Sequence, residues 1–122
     1  MGLIDQNTNG VFVISVTPFT PDGAIDWESV DRVTDFYLEA GADGLTILGM
    51  MGEAPKMTQA ESAEISRRII ARAGDTPVIV GVSAPGLAAM QELTASVMDQ
   101  GAAGVMVAPP SSIKTDTQIH RY

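Results

Sequence analysis

The chain has 122 residues, a formal net charge of -8 and no cysteine. That length is one domain at most and buries a modest core without staples, while the missing cysteines exclude disulfides and thiolate catalysis and fit a reducing cytoplasm. Five arginines and two lysines lie scattered on an acidic background, which argues against a nucleic-acid partner.

The first nine residues read as an N-terminal extension, and residues 10–122 as one α/β domain. MGLIDQNTNG has no basic stretch ahead of an apolar run, so it does not read as a secretory leader, and Gln6 stands where a myristoylation signal wants Ser or Thr. No window approaches the roughly 20 apolar residues of a membrane span. A soluble cytoplasmic protein without a membrane partner is the expectation.

Four apolar runs follow: VFVISV from Val11, LTIL from Leu45, VIVGV from Val78 and VMVA from Val105. They are apolar throughout, the pattern of parallel strands covered on both faces. Helical spacing lies between them. Trp27 to Ala40 puts Val30, Val33 and Tyr37 on one stripe, with Asp26 as N-cap and Gly41 as stop. Thr58 and Glu61 form a capping box that opens a second helix, which exposes Glu64 and Arg68 at i,i+4 and closes before Gly74. A third helix runs from about Leu87 to Gln100 on Met90, Leu93 and Val97, and stops at Gly101. Gly41-Ala-Asp-Gly44 and Gly101-Ala-Ala-Gly104 repeat at matching helix-to-strand corners, so the unit is βα. Thr115 and Gln118 cap a last helix four residues before the sequence given stops, which suggests the N-terminal part of a longer βα repeat protein.

Parallel α/β folds place function on the loops that leave the C-terminal ends of strands. Here these are Thr17-Pro18-Phe19, Gly49-Met-Met-Gly-Glu53, Ser83-Ala-Pro-Gly86 and Pro109-Pro-Ser-Ser112. None is a phosphate loop, and the glycine pairs Gly41/Gly44 and Gly101/Gly104 precede strands instead of following them, so a dinucleotide fingerprint fails on context and on spacing. The GMMGE loop has two readings. Its N–H groups suit a small carboxylate, or it is an ordinary βα turn whose methionines plug the core. Lys56 and Lys114 fall in loops that do not look dry enough to free an imine-forming amine, and His120 reads as a surface residue. Glu53 reads as a brace that accepts backbone N–H bonds. Arg67, Arg68 and Arg72, set among Glu61 and Glu64, read as a solvated helix face.

These residues, from Gly10 to Tyr122, resemble the N-terminal half of the dihydrodipicolinate synthase and N-acetylneuraminate lyase family. The resemblance rests on Thr17-Pro18-Phe19, the Gly-x-x-Gly-Glu loop, Pro77-Val-Ile-Val-Gly81 and Ala108-Pro109. It implies about four βα units of a (β/α)8 TIM barrel truncated in the fourth helix, from a homotetrameric class I aldolase or lyase that forms a Schiff base with pyruvate or a related 2-oxo acid. No metal or organic cofactor is implied. The family's imine lysine and main tyrosine fall beyond Tyr122, so no residue here takes a catalytic role. The substrate-binding candidates are Gly49, Met50, Met51, Gly52 and Ser111. Met50 and Met51 replace residues commonly hydroxylic in the family, and Pro110 and Ser111 match places where the synthases often carry a tyrosine pair. The resemblance therefore points to a divergent member and not a true dihydrodipicolinate synthase. Two other readings stand beside it: a non-catalytic α/β binding domain of doubly wound type, and a half-barrel that pairs with a second copy.

Overall fold

In the computed structural model, which describes residues 2–122 and so leaves Met1 of the expected extension outside the described residues, strands and helices alternate. The strands are β1 (Phe12–Ile14), β2 (Gly44–Ile47), β3 (Val78–Gly81) and β4 (Gly104–Met106). The helices are α1 (Trp27–Glu39), α2 (Gln59–Ala73), α3 (Leu87–Asp99) and the short α4 (Asp116–Arg121), with a single 3-10 turn at Ala54–Lys56. All strand pairs are parallel, in register at Val13 with Leu45, Thr46 with Ile79 and Val80 with Val105.

The strands lie in the sheet in their order along the chain. α1 packs on α2, and α2 packs on α3, as a row of neighbours. A doubly wound sheet needs a point where the strand order reverses. This sheet has none, which corrects the doubly wound alternative.

Helix ends follow local chemistry. Asp26 accepts the Ser29 N–H at 3.1 Å to start α1. Both halves of the Thr58 and Glu61 box are closed, with the Glu61 N–H on the Thr58 hydroxyl at 3.1 Å and the Thr58 N–H on the Glu61 carboxylate at 2.8 Å. Thr115 and Gln118 repeat the arrangement at α4. α1 and α3 end alike. Gly41 and Gly101 have φ of +88° and +100°, Ala42 and Ala102 donate back to Tyr37 and Val97, and the two glycines donate to Leu38 and Met98. A left-handed residue at this position lets the chain reverse while the last carbonyls stay bonded.

The core lies between the sheet and the helix row, built from Leu45, Ile47, Val78 and Val80 against Val30, Ile65, Ile69, Leu93 and Val97. On α1 the fully buried pair is Val30 and Thr34, while Val33 and Tyr37 of the expected stripe are half-buried. A threonine is tolerated there because its hydroxyl donates to the Val30 carbonyl at 2.8 Å, so that buried hydroxyl is itself paired. Ser66 does the same on α2.

Full coverage of the strands holds for β2, and β3 comes close to it with only Ile79 half-buried. Ile14 on β1 is 51% exposed and Met106 on β4 is 41% exposed, because these are the outer strands and nothing among the described residues pairs beyond them. The Ile4 N–H donates to the Ala103 carbonyl at 2.8 Å, tying the N-terminal segment to the start of β4. Among the described residues no helix is long and apolar enough to cross a membrane.

Candidate functional site

β2 delivers the chain to the GMMGE loop at the C-terminal edge of the sheet. Leu48 turns the backbone into the left-handed region with φ +56°, and Glu53 does so again with φ +54° on the far side. For a residue with a Cβ, each such conformation costs about 1–2 kcal/mol, so it persists only where the surroundings hold it. Leu48 is buried in the core. Its carbonyl oxygen presses on Gly81 of β3, where any Cβ would fall on that oxygen. At the other end the Thr17 hydroxyl, itself buried, donates to the Gly52 carbonyl at 2.7 Å.

Between these clamps the loop forms a tight turn. The Gly52 N–H donates to the Gly49 carbonyl and the Glu53 N–H to the Met50 carbonyl, both at 3.1 Å. Every peptide here is trans, and a trans peptide points its N–H opposite its C=O. The N–H groups of Met50 and Met51 therefore point away from the bonds made by the Gly49 and Met50 carbonyls, and among the described residues they donate to no protein acceptor. Two adjacent free N–H groups on a fixed turn form a concavity suited to an anion.

Met50 is 94% exposed and Met51 58%. They do not plug the core, contrary to one of the two expectations for this loop. Leu48 fills that space, and the turn lifts both methionines clear of it. The Met106 methyl from β4 lies against Gly49, 3.4 Å from where a Cβ there would stand.

The other expected residues lie apart from this turn. Ser111 is exposed beyond β4, and no described contact joins it to Gly49–Gly52. Lys56 is exposed and paired with Glu53, so the Glu53 carboxylate engages that ammonium and does not brace backbone N–H groups as expected. Lys114 is exposed, and His120 is exposed with Nδ1 2.8 Å from the Asp116 carbonyl oxygen. Tyr122 reaches back to the α3 region, its hydroxyl donating to the Ala84 carbonyl at 3.4 Å. A largely apolar cavity of about 370 Å³ opens between the β2 and β3 loops, lined by Pro55, Met57, Ser62, Ser83, Pro85 and Leu93 among others. It includes none of the expected binding residues.

Thr17, Leu48, Gly81 and Met106 shape the turn, and although Thr17 and Gly81 fall in stretches that carried the resemblance, none of the four was read from sequence as a contact of this loop. Thr17 did lie in a loop assigned to the functional face, but nothing in its neighbours named Gly52 as its partner.

A profile of the Dihydrodipicolinate synthetase family matches residues 7–121. The 4-hydroxy-tetrahydrodipicolinate synthase of Nitrosococcus oceani is 36% identical over 103 residues, 84% of this chain and 35% of its own length. That of Sorangium cellulosum is 36% identical over 104 residues, with the same two coverages. Among solved structures, the dihydrodipicolinate synthase of Rhodopseudomonas palustris superposes with a TM-score of 0.93 at 52% identity, over 100% of this chain and 40% of that one. The chloride-inhibited dihydrodipicolinate synthase of Acinetobacter baumannii, solved with pyruvate, gives a TM-score of 0.84 at 28% identity, over 92% of this chain and 39% of that one. The chain thus spans well under half the length of the relatives it matches.

Proposed function

The chain belongs to the dihydrodipicolinate synthetase family, its four βα units matching the N-terminal part of a TIM barrel, and from that premise we propose that it belongs to a Schiff-base aldolase or lyase for pyruvate or a related 2-oxo acid. Its own contribution is carboxylate binding by the turn Gly49–Gly52. The observation that carries this reading is the pair of free N–H groups at Met50 and Met51 on a turn clamped at both ends. Backbone donors fixed in advance need no reorganisation when an anion arrives. The relative solved with pyruvate adds weight from outside the chain.

The imine itself is assigned to a lysine outside these 122 residues, with the proton-relay tyrosine likewise outside. An imine-forming amine needs a dry pocket, whereas Lys56 and Lys114 are both exposed. The protonated imine would serve as the electron sink for a carbanion at C3 of the 2-oxo acid. Residues 10–122 form the partial barrel domain after the 1–9 segment, within a cytoplasmic homotetramer. Ser111 is proposed to meet substrate only in that complete assembly. Met50 and Met51 present thioethers where hydroxyls are common in the family, so the partner aldehyde is less polar or bulkier than that of a lysine-pathway synthase.

Titrating the 15N-labelled chain with pyruvate tests the binding role. Amide shifts should concentrate at Gly49–Gly52, and their absence at millimolar pyruvate would overturn it. With borohydride added, no covalent adduct should form. A pyruvate adduct mapped to Lys56 or Lys114 would sink the assignment of the imine elsewhere.

A further inference from the structure

We infer that Thr17 is a positioning residue that aims the N–H donors of the Gly49–Gly52 turn. Its purpose rests on the carboxylate-binding reading above, but its geometry stands apart from it. Thr17 follows β1 and is separated from the loop by 35 residues of chain, yet its buried hydroxyl donates to the Gly52 carbonyl at 2.7 Å. That is the described hydrogen bond of this carbonyl, on a residue that is itself buried. A carbonyl stripped of it in a dry site has no water to turn to.

Peptide planarity carries the effect outward. The Gly52 carbonyl and the Glu53 N–H belong to one rigid plane. Thr17 holds the carbonyl end, and the N–H end donates to the Met50 carbonyl at 3.1 Å. The Met50 carbonyl shares its own plane with the Met51 N–H, so fixing one fixes the other. Thr17 thus sets the direction of a donor that it never touches, through two planes and one hydrogen bond. The left-handed Glu53, at φ +54°, is part of the same linkage, because a rotation of the Gly52–Glu53 plane would relax it. Threonine suits the role: its branched Cβ restricts χ1, which keeps the hydroxyl on target.

The test uses the full 122-residue chain and the variants Thr17→Val, Thr17→Ser and Thr17→Cys. Valine keeps the shape and removes the donor. In Thr17→Val without ligand, amide exchange of Gly52 and Glu53, the two turn amides that are hydrogen-bonded, should speed by about tenfold relative to core amides such as Leu45 and Val80, as the loss of one buried hydrogen bond implies. Pyruvate affinity should fall by a similar factor, and Thr17→Ser should restore both. If Thr17→Val does not fold, Thr17→Cys, a weaker donor, should fall between serine and wild type on one side and the lost bond on the other. Loop exchange that tracks core exchange in the valine or cysteine variant would overturn the inference, since a merely structural threonine loosens the whole fold together. If wild type shows no pyruvate shifts while loop exchange still responds to Thr17→Val, carboxylate binding fails and the positioning role survives.

Discussion

Leu48 keeps a left-handed backbone inside the core because its side chain is buried and its carbonyl has a seat on Gly81. The seat exists only because position 81 has no Cβ. Gly81→Ala would push a methyl onto that oxygen, and the resulting overpacking is expected to lower stability by about 1–3 kcal/mol. Urea unfolding measures the loss, and pyruvate titration of the same variant should show weakened shifts at Met50 and Met51. An unchanged midpoint would mean that β3 gives way freely. At this scale the sequence was half legible. Two glycines around Met50 and Met51 marked a turn, since glycine punctuates local structure. The clamps were silent because a left-handed leucine looks like any leucine, and Thr17 meets Gly52 across 35 residues of chain.

Helices α1 and α2 are joined by charge as well as by packing. Arg68 forks onto Asp31 at 2.7 and 2.8 Å, Arg72 onto Asp35 at 2.6 and 2.7 Å, and the Arg68 guanidinium sits 5.5 Å from the centre of the Trp27 ring. These two arginines were expected on a solvated face, with Arg68 opposite Glu64. Instead Glu64 pairs with Arg67, and Arg68 crosses to the neighbouring helix. Helix starts and stops were readable because caps act within a few residues. The cross-helix pairs were not, because their partners are 37 positions away. Hydrogen bonds from Arg68 hold the Asp31 carboxyl below its ordinary 3.8, and bonds from Arg72 do the same for Asp35. A depressed folded-state pKa gives stability that is complete above about 3.8 and drains away as pH falls through the lowered value. Asp31→Asn should therefore melt a few degrees below wild type at pH 7, and the gap should close in acid below that range. A gap that persists undiminished in acid would show that the pair does not stabilise the helix contact.

As a whole molecule the chain is a parallel sheet with helices in a row and apolar side chains on both outer strands. Unpaired strand edges invite other edges. The 122-residue chain handled alone is expected to self-associate with rising concentration, and Ile14→Lys with Val105→Lys should shift it toward monomer in sedimentation. Concentration-independent monomer for the unmodified chain would refute this. The βα order was legible from sequence because each unit carries its own strand run, caps and stop. The exposure of β1 and β4 was not legible in the runs themselves, since an apolar run shows what a strand needs and not whether a neighbour supplies it; two open strand edges followed only from the half-barrel reading. Strand order that copies chain order has a further meaning for synthesis on the ribosome. Each strand pairs with the strand made just before it, so every new βα unit can dock on a surface already in place, with no need to wait for a later segment to slip between finished strands. The nascent fold advances from one edge, and at every stage the part still exposed is the part about to be used.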